Sequence, residues 1–182
     1  TLSPDGRNRP PHLRTWPDGW RHLRFLLLYS PRWLFLYPGI ISFSLGILVS
    51  ALLLPGPRMI GKVGFDVDTL LFAAMMVLIG FQSIIFAMFT KVFAMSEGLL
   101  PEDPRLNRVF HYITLEVGLV VGVLLALAGT SAWVLGLTYW KSHHFGPLDP
   151  GQTLRIVIPG VVCLTLGFQT ILSSFFLSVL GM

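Results

Sequence analysis

The chain has 182 residues, of which 53% are hydrophobic and only 12% charged, and its formal net charge is +4. A soluble domain carries about 25% charged residues, so most of this surface does not face water and a freely soluble enzyme is excluded. The basic residues gather near the N-terminus, which points to an anionic membrane face and away from nucleic acid.

Residues 1–17 are polar and lack the apolar core of a secretory signal peptide. Thr1 is not an initiator methionine, so the chain reads as the back part of something longer or as a processed product. The run Ser3-Pro-Asp-Gly-Arg-Asn-Arg-Pro-Pro-His-Leu-Arg14 is too rich in proline for a helix. It holds Arg7, Arg9 and Arg14 within reach of a bilayer surface. Arginine clamps phosphate through two parallel N–H bonds, which makes a lipid phosphate a fitting partner. The plainer reading is general attraction to anionic lipid, of order 1 kcal/mol per basic residue. Chemistry alone leaves both open.

Residues 18–31 predict a short amphipathic helix lying at the interface. Asp18 suits its N-cap, the helix runs to about Tyr29, and Pro31 interrupts it. Trp20, Leu23 and Leu27 share one face, with Arg21, His22 and Arg24 on the polar side. Trp20, Arg21, Arg24 and Trp33 are its expected anchors at headgroup level. The alternative is a slanted extension of the first span.

Four windows then lack Asp, Glu, Lys and Arg: 33–54, 69–90, 117–140 and 156–182. Each exceeds the roughly 18 to 20 residues a helix needs to cross about 30 Å of hydrocarbon. They are apolar on every side, which excludes a closed barrel of alternating strands. The expected fold is an all-α membrane protein with a membrane domain over 32–182. Its spans fall near 33–54, 69–90, 114–138 and 156–180, joined by polar connectors over 55–68, 91–110 and 141–155.

Orientation follows from the 13 Lys and Arg residues. The N-terminal segment and the middle connector hold nine of them, and the other two connectors hold four, namely Arg58, Lys62, Lys141 and Arg155. The positive-inside rule places both termini in the cytoplasm. The spans also read as two related hairpins. Gly80-Phe-Gln-Ser-Ile84 recurs as Gly167-Phe-Gln-Thr-Ile171, and Gly39/Gly46 in the first span match the spacing of Gly122/Gly129 in the third. Repeats running in parallel give no support to an inverted-repeat transporter.

Few polar groups enter these windows. Gln82 and Gln169 stand at matching depth, either as an interhelical hydrogen bond or as a ligand site. Glu116 lies in the first turns of its helix, where dipole and headgroups favour a carboxylate, with Arg108 and His111 as candidate partners. Asp66-Val67-Asp68 reads as a solvated loop capping the second helix, and His143-His144 as a solvated pair. No metal site, nucleophile–base pair or phosphate loop is expected, and Cys163 reads as a buried small hydrophobe. Gly118 and Gly122 form a Gly-x-x-x-Gly step that packs helices within the bundle or between chains.

Taken together, the N-terminal run, Asp18-Gly-Trp-Arg-His-Leu-Arg-Phe, Tyr29-Ser-Pro-Arg-Trp, Gly80-Phe-Gln and Leu115-Glu-Val-Gly resemble one place in a known family. It is the junction of catalytic and membrane domains in bacterial family 2 glycosyltransferases similar to dolichyl-phosphate mannosyltransferase. The resemblance implies a cytoplasmic catalytic domain that transfers a hexose from a nucleotide sugar to a polyprenyl phosphate, using Mg or Mn. It further implies a multi-pass protein of the bacterial inner membrane serving the cell envelope. Arg7 and Arg9, with Arg14 behind them, occupy the position of the family's acceptor loop. The nucleotide strand, metal-binding acids and catalytic base of the family have no counterpart in this sequence, so the chain is expected to bind no nucleotide sugar and to be inactive alone. The competing class is a stand-alone four-span protein, a flippase of lipid-linked sugar or a scaffold subunit.

Overall fold

A computed structural model describes residues 15–30, 32–98 and 114–180. Among these, helix α1 (Thr15–Tyr29) precedes a π-helical turn (Arg32–Leu36) and α2 (Tyr37–Leu53). A short hairpin, β1 (Arg58–Ile60) and β2 (Val63–Phe65), leads into α3 (Val67–Ser96). Then come α4 (Leu115–Ser142) and α5 (Pro150–Leu180). Four of these elements are long and apolar enough to cross a membrane, the π-turn with α2, then α3, α4 and α5.

The helices are longer than the charge-free windows, because Lys91, Lys141 and Arg155 continue them. Cationic stems lie along apolar surface while their heads reach the interface, so a span's helix runs past its hydrocarbon. Helix α1 begins three residues before Asp18, which therefore does not cap it. Pro17 is tolerated there because a first turn has no intrahelical use for its N–H. Asp18 instead pairs with Arg21 one turn on, at 3.8 Å.

The β-hairpin lies within residues 55–68, where the sequence predicts only a polar connector. Its register pairs Arg58 with Phe65, Met59 with Gly64 and Ile60 with Val63, leaving Gly61-Lys62 as a two-residue turn. Gly61 has φ +64°, the left-handed first position of a tight hairpin turn, where a side chain is strained.

Packing follows the expected pairs. Helix α2 lies along α3 and α4 along α5, and the two hairpins meet through α3 and α5. Without a hydrophobic drive between helices in lipid, close backbone approach supplies the attraction, and glycine permits it. A Cβ on Gly46 would lie 2.7 Å from the Ala73 carbonyl oxygen and 2.8 Å from the Val77 amide. A Cβ on Gly129 would lie 2.7 Å from the Gly160 carbonyl oxygen and 2.5 Å from the Leu164 amide. The two sets are equivalent: 83 residues separate the glycines, and 87 separate both pairs of partners. Gly80 against Gly39 and Phe43 corresponds in the same way to Gly167 against Gly122 and Ala126. The repeat is thus a repeat of contacts. Gly118 and Gly122 are spent inside the second hairpin, against Ser174 and against Gly167 and Ile171.

Phe89 and Phe176, also 87 residues apart, meet each other edge to face at 4.6 Å where α3 and α5 join. At the opposite end Leu53, Leu70, Ala74 and Ile158 form the buried core shared by α2, α3 and α5.

Candidate functional site

Two ends and a middle carry the polar side chains. At the α1 end, Trp16 and Trp20 are 88% and 62% exposed, and Arg21 and Arg24 are exposed beside them. Helix α1 has no extensive contact with the spans. It ends at Tyr29 and helical structure resumes at Arg32, so it is a separate element from the first span. His22 Nδ1 lies 2.8 Å from the Asp18 carbonyl oxygen, fastening the polar side to its own backbone. Trp33 is 76% exposed and packs at 5.0 Å against a tilted Tyr37 ring, while Phe35 meets Phe86 of α3 at 4.7 Å. The π-turn gives this pairing: one face turns inward to α3 while the next aromatic turns outward. The arrangement offers two unpaired aromatic surfaces and a basic face, which is what an interface of headgroups accepts. Arg7, Arg9 and Arg14 lie outside the described residues, as do Arg108 and His111.

Glu116 is exposed in the first turn of α4 and not inside the bundle. Its neighbour Thr114 is the N-cap, accepting from the Val117 amide at 3.4 Å. In the middle, Gln82 is exposed on the bundle surface. Gln169 is half-buried, and its Oε1 is buried with no hydrogen-bond partner. The expected pair of equally buried amides is therefore not formed. Each glutamine follows a seam glycine by two residues, roughly 200° around the helix, so it faces away from its hairpin partner. Matching depth did not mean matching surroundings.

The hairpin end holds contacts the sequence reading missed. Arg155 of α5 pairs through Nη2 with Asp66 and donates from Nη1 to the Leu53 carbonyl at 3.3 Å and from Nε to the Gly151 carbonyl at 3.0 Å. Asp66 occupies the N-cap position of α3 without making a side-chain cap bond, because its carboxylate goes to Arg155. Arg58 donates from Nε to the Leu52 carbonyl at 3.4 Å. The available signal was an arginine and an aspartate at the edges of two windows of like depth. Beside them, Tyr139 donates to Gln152 Oε1 at 2.9 Å and Trp140 Nε1 to the Gly146 carbonyl at 3.1 Å, closing the α4–α5 connector. Cys163 is half-buried and free.

Among the described residues no three His, Cys, Asp or Glu side chains converge, and Asp66 is already engaged. The divalent metal that the resemblance implies belongs to a catalytic domain and not to these residues. What the arrangement can do is cross a bilayer and present aromatic and basic side chains at its edge.

Residues 88–181 match the glycosyltransferase family 2 C-terminal transmembrane region. The chain is also 31% identical, over 170 residues, to the low-salt glycan biosynthesis hexosyltransferase Agl6 of Haloferax volcanii. That alignment takes in 93% of this chain and 40% of the relative, so the chain spans well under half the length of the curated protein it matches. The relative is archaeal, which widens the likeness beyond bacteria. No solved structure matches the chain.

Proposed function

Since this chain belongs to the C-terminal transmembrane region of glycosyltransferase family 2, we propose that its four spans anchor a hexosyltransferase and present its lipid acceptor. The acceptor in this reading is a polyprenyl phosphate at the cytoplasmic leaflet, and the sugar donor is a nucleotide sugar bound by a catalytic domain not contained in residues 1–182. The observation that carries the reading is the alignment of nearly the whole chain with a hexosyltransferase of glycan biosynthesis.

Within it, Arg7 and Arg9 take the acceptor phosphate, with Arg14 supporting them. Helix α1, presenting Trp20, Arg21 and Arg24, lies in the headgroup layer and sets the height of the catalytic domain above the hydrocarbon. Both termini lie on the cytoplasmic side, where nine of the 13 Lys and Arg residues gather. Any divalent metal belongs to the catalytic domain.

The test is hexose transfer by the full-length protein to polyprenyl phosphate in vesicles. Arg7→Ala with Arg9→Ala is expected to raise KM for the lipid acceptor roughly tenfold or more, as loss of charge-assisted phosphate bonds requires. KM for the nucleotide sugar should stay unchanged. An unaltered acceptor KM would overturn the assignment of these arginines.

A further inference from the structure

Two guanidinium groups meet the carbonyl end of α2. Arg155 takes the Leu53 carbonyl and Arg58 the Leu52 carbonyl, complementing the negative pole of that helix. Their charges are not balanced alike. Arg155 is only 16% exposed and is neutralised by Asp66. Arg58 has no carboxylate partner among the described residues. Lys62, on the turn of the β-hairpin, and Asp68, in the first turn of α3, are both exposed nearby in sequence. With Asp66 and Arg155 cancelling, this end keeps one net positive charge.

Arg58 also lines a cavity of about 510 Å³ between the end of α2, the start of α3 and the β-hairpin. The rest of the wall is hydrocarbon, from Val49, Leu52, Met59 and Phe65, with Thr69 the other polar contributor. Met59 and Ile60 of β1 are 72% and 70% exposed, so the strand carries apolar side chains out at the level where the span ends. A small inorganic anion would satisfy Arg58 and leave the cavity wet. An uncharged chain would fill the cavity and leave the exposed Arg58 without a counter-charge. A lipid with an anionic headgroup meets both demands. We infer that this end of the bundle holds one anionic phospholipid of the adjoining leaflet, its phosphate on the Arg58 fork and one hydrocarbon chain in the cavity beneath β1 and β2. The site is the same whichever leaflet the hairpin end meets, and it does not depend on the acceptor reading.

Native mass spectrometry of the intact chain, released from nanodiscs of equal phosphatidylglycerol and phosphatidylcholine, tests it. One phosphatidylglycerol should be retained with about fivefold preference, the scale of a single basic residue at a membrane surface. Arg58→Gln should bring that preference to unity. Thr69→Phe, which fills the cavity and leaves the charge, should lower retention of both lipids. If Arg58→Gln does not fold, Arg58→Lys is read in its place, and loss of the fork should at least halve the preference, to about twofold. Equal retention of the two lipids by the unmodified chain, or a preference untouched by the Arg58 variants, would overturn the inference. So would polyprenyl phosphate displacing phosphatidylglycerol at equal concentration, which assigns the cavity to the acceptor lipid.

Discussion

Arg155 and Asp66, 89 residues apart, join the N-terminal part of α5 to the start of α3, and the same guanidinium reaches the last turn of α2. One side chain thus ties three spans across the boundary between the hairpins. Arg155→Gln should lower stability by about 1–3 kcal/mol, since it strips several bonds from a largely covered group. Asp66→Asn should cost less than about 1 kcal/mol, because that side chain is half exposed and screened. A double-mutant cycle followed by thermal unfolding in detergent checks the pair. Zero coupling would show that the two groups act independently.

The glycine seam separates crowding from propensity. Gly46→Ala and Gly129→Ala force a methyl into a neighbouring backbone and should each cost about 1–3 kcal/mol, as overpacking does. Gly136→Ala meets nothing closer than Val157 at 3.9 Å. It should be neutral or stabilising by up to about 1 kcal/mol. Equal unfolding temperatures for all three variants would remove the seam as the source of packing.

The placement of α1 is read by its tryptophans. With single-tryptophan variants retaining Trp16 or Trp20, bromine near the headgroup should quench fluorescence more than bromine at the chain ends. Stronger quenching by chain-end bromine would place α1 in the hydrocarbon and overturn its interfacial position.

Sidedness is tested by cysteine accessibility in a Cys163→Ala background. Lys62→Cys, on the β-turn, should react with a membrane-impermeant maleimide in intact cells. Glu97→Cys, at the end of α3, should react only after lysis. The reverse pattern would invert the orientation drawn from the Lys and Arg distribution.

Much of this architecture was legible because hydrocarbon imposes a simple rule. Windows without ionisable groups located all four spans, and the Gly80 and Gly167 steps revealed the doubling. Helix ends were less legible, since Lys91 and Lys141 mark where hydrocarbon stops and not where hydrogen bonding does. The β-hairpin escaped because Met59-Ile60-Gly61-Lys62-Val63 is a two-residue-turn pattern set inside a connector only 14 residues long. The surroundings of Gln82 and Gln169 were not legible either. A motif fixes depth along a helix, whereas the azimuth that decides burial depends on which neighbours the seam recruits. The pairing of Arg155 with Asp66 was not legible, because contacts across 89 residues leave no local trace.

The duplicated seam also orders events in time. Among the described residues, every glycine contact that would fall under 3 Å lies between α2 and α3 or between α4 and α5, adjacent segments of the chain. During synthesis the first pair therefore has all its seam partners before α4 exists, and the second pair likewise needs nothing made earlier. The contacts between the hairpins, among them Phe89–Phe176, Arg155 with Asp66 and Leu53, and Ile158 in the shared core, must wait for the whole. Assembly in the bilayer reduces to two local closures and one late docking, with no span left seeking a distant mate.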